Sequence, residues 1–271
     1  MDRSFLSQPA VVAASRRFVC IRPLTYEDSD AHEFMRKLLV GRSGEVENTT
    51  CCLLSPDGRR PLTRPSRGFQ QVYRDGPQMA EWMEFVADQC ATDRVTARQP
   101  EVPIRTLPRI STVRLALATA AADNVPLAIL YAPNRADRAR GLQQLAKLAW
   151  HADNIGRYAF AVVESEKELR AISPAKPSPG LLLIQPDRFG LKGSLLAHTP
   201  VTSGGSRLAA ALRDGLKRFR PRTTSGFEHI RAGQIEGAFW ETALPVTDPQ
   251  EAAARARHRP SAGGAVSPPA P

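Results

Sequence analysis

Two hydrophobic periodicities alternate along the first hundred residues, and each change of period marks an expected element. Short continuous apolar runs at 18–21 and 51–54 are typical of strands buried on both faces. Apolar residues at helical spacing predict helices at 9–17, 28–38 and 75–90. Helices that alternate with buried strands indicate an α/β fold.

The same alternation begins again beyond residue 104 and is more regular there. The expected elements are a helix at 111–122, a strand at 127–131, a helix ending near 149, a strand at 158–163, a short helix at 166–172, a hairpin of 181–184 with 191–197, and a helix at 208–219. The second half is therefore also predicted to be α/β.

Breaks in periodicity divide the chain into four parts. The proline-containing stretch 99–103 interrupts both patterns and predicts a linker between one domain at 1–98 and a second at 104–246. Residues 247–271 are rich in Ala, Arg, Pro and Gly with almost no large apolar side chain. Such a composition cannot offset the entropy of ordering, so we expect a disordered tail.

Composition narrows the class of protein without identifying its function. The chain has 271 residues, of which 42% are hydrophobic and 24% charged, an ordinary globular mixture. No apolar run approaches the length of a membrane span, and the opening residues lack the pattern of a secretory signal. We therefore expect a cytoplasmic protein with no membrane partner.

The formal net charge of +10 raises the question of nucleic-acid binding. The arginines are scattered through loops, helices and the tail, with no basic stripe and no aromatic pair spaced for base stacking. A solvated basic surface is thus favoured over a nucleic-acid partner, which stays a weaker alternative.

The four cysteines are the residues most suggestive of chemistry. Cys20, Cys51, Cys52 and Cys90 contain no C-x-x-C pair and no zinc-ligand spacing, and no cofactor-binding motif is present, so neither metal nor cofactor is expected. Cys51 and Cys52 are the candidate thiols. Neighbours on a strand point to opposite faces, which favours core packing over a bond between them.

Three short motifs near the start resemble a known family. The chain opens with MDRSFLSQPAVV, continues with FVCIR at 18–22, and closes its second predicted strand with Ser-Pro-Asp-Gly at 55–58. This resembles thioredoxin-like proteins of the thiol-disulfide oxidoreductase and spermatogenesis-associated type. The resemblance implies two tandem thioredoxin-like domains, the first without its first strand, and it places the family's redox C-x-x-C immediately upstream of Met1.

The resemblance also implies roles for two positions in the second half of the chain. Pro179, just before the predicted hairpin, corresponds to the family's cis-proline. Residues 133–137, Pro-Asn-Arg-Ala-Asp, stand where redox cysteines would be, so this domain is expected to be redox-silent. Its partners would be proteins held in a thioredoxin-type groove.

Several alternatives remain open at this point. The strand missing from the first domain could lie upstream, could be replaced by another segment, or could be lost from a degenerate domain. The function is either that of a thioredoxin-like protein related to thiol-disulfide oxidoreductases, active only with an upstream redox pair, or that of a non-catalytic interaction module.

Overall fold

The computed structural model describes residues 5–42, 44–46, 50–96, 106–174, 177–223, 225–247 and 249–258. The chain divides into two compact units, one formed by residues 1–100 with 239–271 and the other by residues 101–238. The predicted linker at 99–103 lies outside the described residues.

The second unit is built on one six-stranded mixed sheet. Its strands are β1 (Arg109–Ile110), β2 (Leu127–Tyr131), β3 (Ala159–Val163), β4 (Ile172–Ser173), β5 (Gly180–Pro186) and β6 (Gly193–Thr199). They lie in the order β1-β3-β2-β5-β6-β4. The pairs β1 with β3, β3 with β2 and β4 with β6 are parallel, whereas β5 is antiparallel to both β2 and β6.

Helices cover both faces of this sheet. They are α4 (Val113–Asp123), α5 (Arg135–Ala149) and α6 (Gly204–Arg218), and a further helix of this unit, α7 (Gly226–Ile235), follows them along the chain. Leu117 of α4 packs with Ile129 on one face, whereas Leu145 of α5 and Leu212 of α6 pack with Leu130 on the other. Since both faces are covered, every residue of β2 is buried, which explains why its sequence is continuously apolar.

The first unit is largely helical in its described residues. It contains α1 (Pro9–Ser15), α2 (Ser29–Leu38), α3 (Gly76–Thr96) and α8 (Pro249–His258). Val11 and Ala14 of α1 pack with Met79 and Met83 of α3. Arg17, just after α1, makes ion pairs with Glu84 at 2.5 Å and Asp88 at 2.7 Å on α3.

The strands predicted for the first unit are not formed, which corrects the sequence-based expectation. Residues 18–21 belong to no strand, and Val19 and Ile21 are 77% and 61% exposed. Residues 51–54 make only two isolated bridges, Cys51 with Ser66 and Leu54 with Pro61. Proline has no N–H to donate to a ladder, so a regular strand cannot continue through Pro61. The predicted turn at 55–58 is present, with Gly58 at φ 71°.

The end of the chain also differs from the prediction. We expected residues 239–246 in the second domain, but they lie with the first unit, where the Trp240 indole N–H donates to Glu27 at 2.6 Å. Residues 249–258 of the predicted disordered tail form α8, and Arg255 donates to the Trp240 carbonyl at 3.0 Å. The rest of the predicted tail, 259–271, lies outside the described residues.

No described helix is both long enough and apolar enough to span a bilayer.

Candidate functional site

Strand register brings four loop segments of the second unit to one edge of the sheet. Tyr131 at the end of β2 pairs with Val163 at the end of β3 and with Gly180 at the start of β5. Leu181 pairs with Thr199 at the end of β6. We call this the upper edge, formed by residues 132–135, 164–168, 177–180 and 199–204. Binding sites of sheets with parallel strands lie at the carboxyl ends of those strands, so this edge is the candidate site.

Asn134, an exposed residue of the upper edge, is the N-cap of α5. Its side-chain oxygen accepts hydrogen bonds from the backbone N–H groups of Ala136 at 2.8 Å and Asp137 at 3.1 Å. A cysteine thiolate in that place would be stabilised by the same amides and by the helix dipole. The residues of this loop are Ala-Pro-Asn-Arg, so the position holds a structural cap instead of a thiol.

Arg138 ties two of the four segments together. Its guanidinium donates to the Ala132 carbonyl at 2.9 Å and makes an ion pair with Glu164 at 3.2 Å. The Arg138 side chain is only 17% exposed, whereas that of Glu164 is 65% exposed. The Glu168 carboxylate fixes the Glu164 backbone by accepting from its N–H at 3.2 Å. The Arg138 charge is therefore already paired and held in place.

Pro179 lies at the upper edge, directly before β5. Its carbonyl oxygen is 3.1 Å from Nε2 of His198 on β6. Among the described residues, the peptide bond between Ser173 and Pro174 is cis and the one before Pro179 is not, so Pro179 shares the position but not the cis geometry that the resemblance implied. Gly180 has a φ of 155°, and a Cβ there would lie 2.4 Å from the Thr199 carbonyl, which leaves room for glycine only.

The cysteines all belong to the first unit and none is in a disulfide. Cys51 and Cys52, the candidate thiols, are half-buried, and the Cys51 backbone pairs with that of Ser66. Burial raises the pKa of the Cys52 thiol above the ordinary value. A raised pKa leaves less thiolate at neutral pH, which is the opposite of an activated cysteine.

Within the described ranges, no three side chains of His, Cys, Asp or Glu lie close enough together to bind a metal ion.

Sequence reasoning located the loop at 133–137 but missed its supporting contacts. A signal for the cap was present, since Asn134 follows a buried strand and Asp137 stands in the first helical turn. The contacts from Arg138 to Glu164 and from His198 to Pro179 join separate elements, and no local pattern predicts them.

Comparisons with protein-family models, with curated proteins and with solved structures found no match for this chain.

Proposed function

We propose that this chain is a thioredoxin-like protein whose second unit is a redox-silent binding module. The observation that carries the proposal is the N-cap of α5. In the family that the sequence resembles, the redox cysteines stand where a strand ends and a helix begins. At the corresponding place here, Asn134 caps the helix itself, and the second unit contains no cysteine.

The order of elements in the second unit supports the thioredoxin-like part of the proposal. Parallel strands β1, β3 and β2 are followed by the antiparallel hairpin of β5 and β6. One helix, α4, covers one face, and α5 and α6 cover the other. The stretch 127–219, with its strand, helix, strand, short helix, hairpin and helix in that order, supports a thioredoxin-type core, to which β1 and β4 are added.

The binding part of the proposal concerns the loops of the upper edge. Three of its segments carry an exposed residue, namely Asn134, Pro179 and Pro200. Next to Pro179, Gly180 lets the backbone at the start of β5 lie close to Thr199 of β6. Arg138 and Glu164 fix the neighbouring loops, so the edge is organised before a partner arrives. The partner would be an extended polypeptide of another protein.

The first test measures thiol-disulfide exchange. In an assay of insulin reduction by dithiothreitol, we expect the chain to leave the rate unchanged, because no two of its cysteines stand at the C-x-x-C spacing that the exchange requires. Cys51→Ser and Cys52→Ser serve as controls and should give the same rate. Acceleration by the wild-type chain that disappears in Cys51→Ser would contradict a redox-silent protein.

The second test measures binding at the upper edge. We expect reduced, alkylated insulin B chain, added to the 15N-labelled protein, to shift amide resonances of 132–135, 177–180 and 199–204. Residues 187–192, in the loop between β5 and β6, provide the internal control, since they lie at the opposite end of that hairpin. Shifts confined to 187–192 would contradict the assignment of this edge.

A further inference from the structure

The first unit carries a groove that the proposed function does not use. It has a volume of about 670 Å³ and lies between α3 and the segment preceding it. A groove of this size is within the range of ligand-binding sites. Its lining consists of Leu62, Thr63, Arg64, Val72, Tyr73, Gln78, Glu81, Trp82 and Phe85. We call it the α3 groove.

Two large aromatic side chains stand side by side at the α3 groove. Trp82 is 42% exposed and Phe85 is 51% exposed, and their ring centroids are 5.3 Å apart with an interplanar angle of 32°. Exposed apolar side chains grouped around a groove mark interaction sites more often than single exposed ones. The pair offers a flat apolar surface to a ligand.

Tyr73 adds a buried hydrogen-bonding group to the same groove. The residue is 7% exposed, and its hydroxyl has no hydrogen bond of normal geometry within the part of the chain described. The Thr63 hydroxyl is close by and accepts from the Leu53 N–H at 2.9 Å, which leaves its second lone pair for the Tyr73 O–H. A carbonyl oxygen of a ligand would give the Tyr73 O–H an acceptor of better geometry than Thr63 provides.

Two charged side chains, Glu81 and Arg64, line the α3 groove. Neither makes an ion pair with another residue in the part of the chain that the structure describes. An exposed aromatic pair, a hydroxyl donor and a carboxylate together match what aromatic-lined grooves use to bind polyproline II segments next to a basic residue.

We propose that the α3 groove binds the proline-rich segment 259–271 of the same chain. This segment reads RPSAGGAVSPPAP. Its prolines would lie against Trp82 and Phe85, a backbone carbonyl would accept from Tyr73, and Arg259 would face Glu81. The proline ring fixes φ, so each proline of the segment loses less backbone entropy on binding than another residue would.

The distance that the segment must cover is compatible with this assignment. Segment 259–271 directly follows α8, which belongs to the same compact unit as the groove. Thirteen residues span at most about 45 Å when fully extended. A compact unit of roughly 130 residues has a radius of gyration of about 14 Å, so the segment is long enough to reach the groove.

The test follows the indole resonances of the full chain labelled with 15N-tryptophan, with Trp82 assigned through Trp82→Phe. We expect the triple substitution Pro268→Ala, Pro269→Ala and Pro271→Ala to shift the Trp82 resonance and to leave those of Trp150 and Trp240 in place. Ser261→Ala, Val266→Ala and Ser267→Ala, which keep every proline, should shift none. Adding a synthetic peptide of residues 259–271 to the proline variant should return the Trp82 resonance to its wild-type position.

Three results would overturn the proposal. The first is an unchanged Trp82 resonance in the proline variant together with no response to the peptide. The second is a response to the peptide alone, which would assign the groove to a proline-rich segment of another protein. The third is a wild-type Trp82 resonance that moves on dilution, which would assign it to a second copy of the chain.

Discussion

Gly141 lies in the middle of α5, against buried side chains of the second unit. A Cβ at this position would be 2.8 Å from Val201 and 2.9 Å from Leu130, both of which are buried and cannot move aside freely. Gly205 lies in α6, where a Cβ would meet nothing within 4 Å. Alanine substitutions at the two positions therefore distinguish the effect of packing from the effect of helix propensity.

We expect Gly141→Ala to destabilise the second unit and Gly205→Ala to stabilise it. Overpacking costs about 1 to 3 kcal/mol, which exceeds the gain of roughly 1 kcal/mol that alanine brings to a helix. Urea unfolding followed by Trp150 fluorescence, with Trp82 and Trp240 replaced by Phe, measures both changes. Equal stabilisation by the two substitutions would mean that α5 does not pack as described.

Burial of the Cys52 thiol makes a separate prediction about reactivity. Because burial disfavours the thiolate, the pKa of Cys52 is raised, and alkylation by iodoacetamide should reach half its maximal rate at a higher pH than for a cysteine peptide. The measurement uses a chain in which Cys20, Cys51 and Cys90 are replaced by Ser. A midpoint at or below that of the peptide would show an activated thiol.

At the scale of elements, the same apolar pattern had two different outcomes. The run at β2 forms a buried central strand, whereas the run at 18–21 forms none. A continuous apolar run indicates that a segment can be buried on both faces, but a central strand also needs a hydrogen-bonded strand on each side. In the second unit β3 and β5 provide them for β2. Among the described residues of the first unit, no such strands exist.

Hydrogen exchange should report this difference directly. Residues 181–184 of β5 are bonded to strands on both sides, so their amides should exchange only through global unfolding of the second unit. Residues 19–21 belong to no helix or strand, and we expect their amides to exchange at close to unprotected rates. Comparable protection of the two segments in the monomer would contradict the fold described for the first unit.

At the scale of the whole molecule, the sequence predicts the elements of the second unit better than those of the first. The longer strands and helices from 113 to 218 match the sequence prediction because their apolar runs are bounded by proline, glycine and asparagine. The sequence missed β1, β4 and α7, and the short helix expected at 166–172 is confined to Glu166–Leu169, with Ile172 in β4. The first unit is held by contacts between distant segments, such as Trp240 with Glu27, which no local pattern contains. For the same reason the loop at 133–137 could be located from sequence, but the pairing of Arg138 with Glu164 could not.

The most direct test of the central claim places a redox pair at the upper edge. If the second unit is a thioredoxin-like module that lacks only its thiols, the double substitution Asn134→Cys and Asp137→Cys supplies them at the N-cap and first turn of α5. The backbone N–H groups that Asn134 now engages would stabilise the new thiolate. The matched control is Ser225→Cys with Glu228→Cys, the same spacing at the N-terminus of α7.

We expect the variant with cysteines at 134 and 137 to accelerate insulin reduction by dithiothreitol well beyond the control variant, whereas the wild-type chain should not accelerate it. Equal rates for the two variants, or turnover by the wild-type chain itself, would contradict the account.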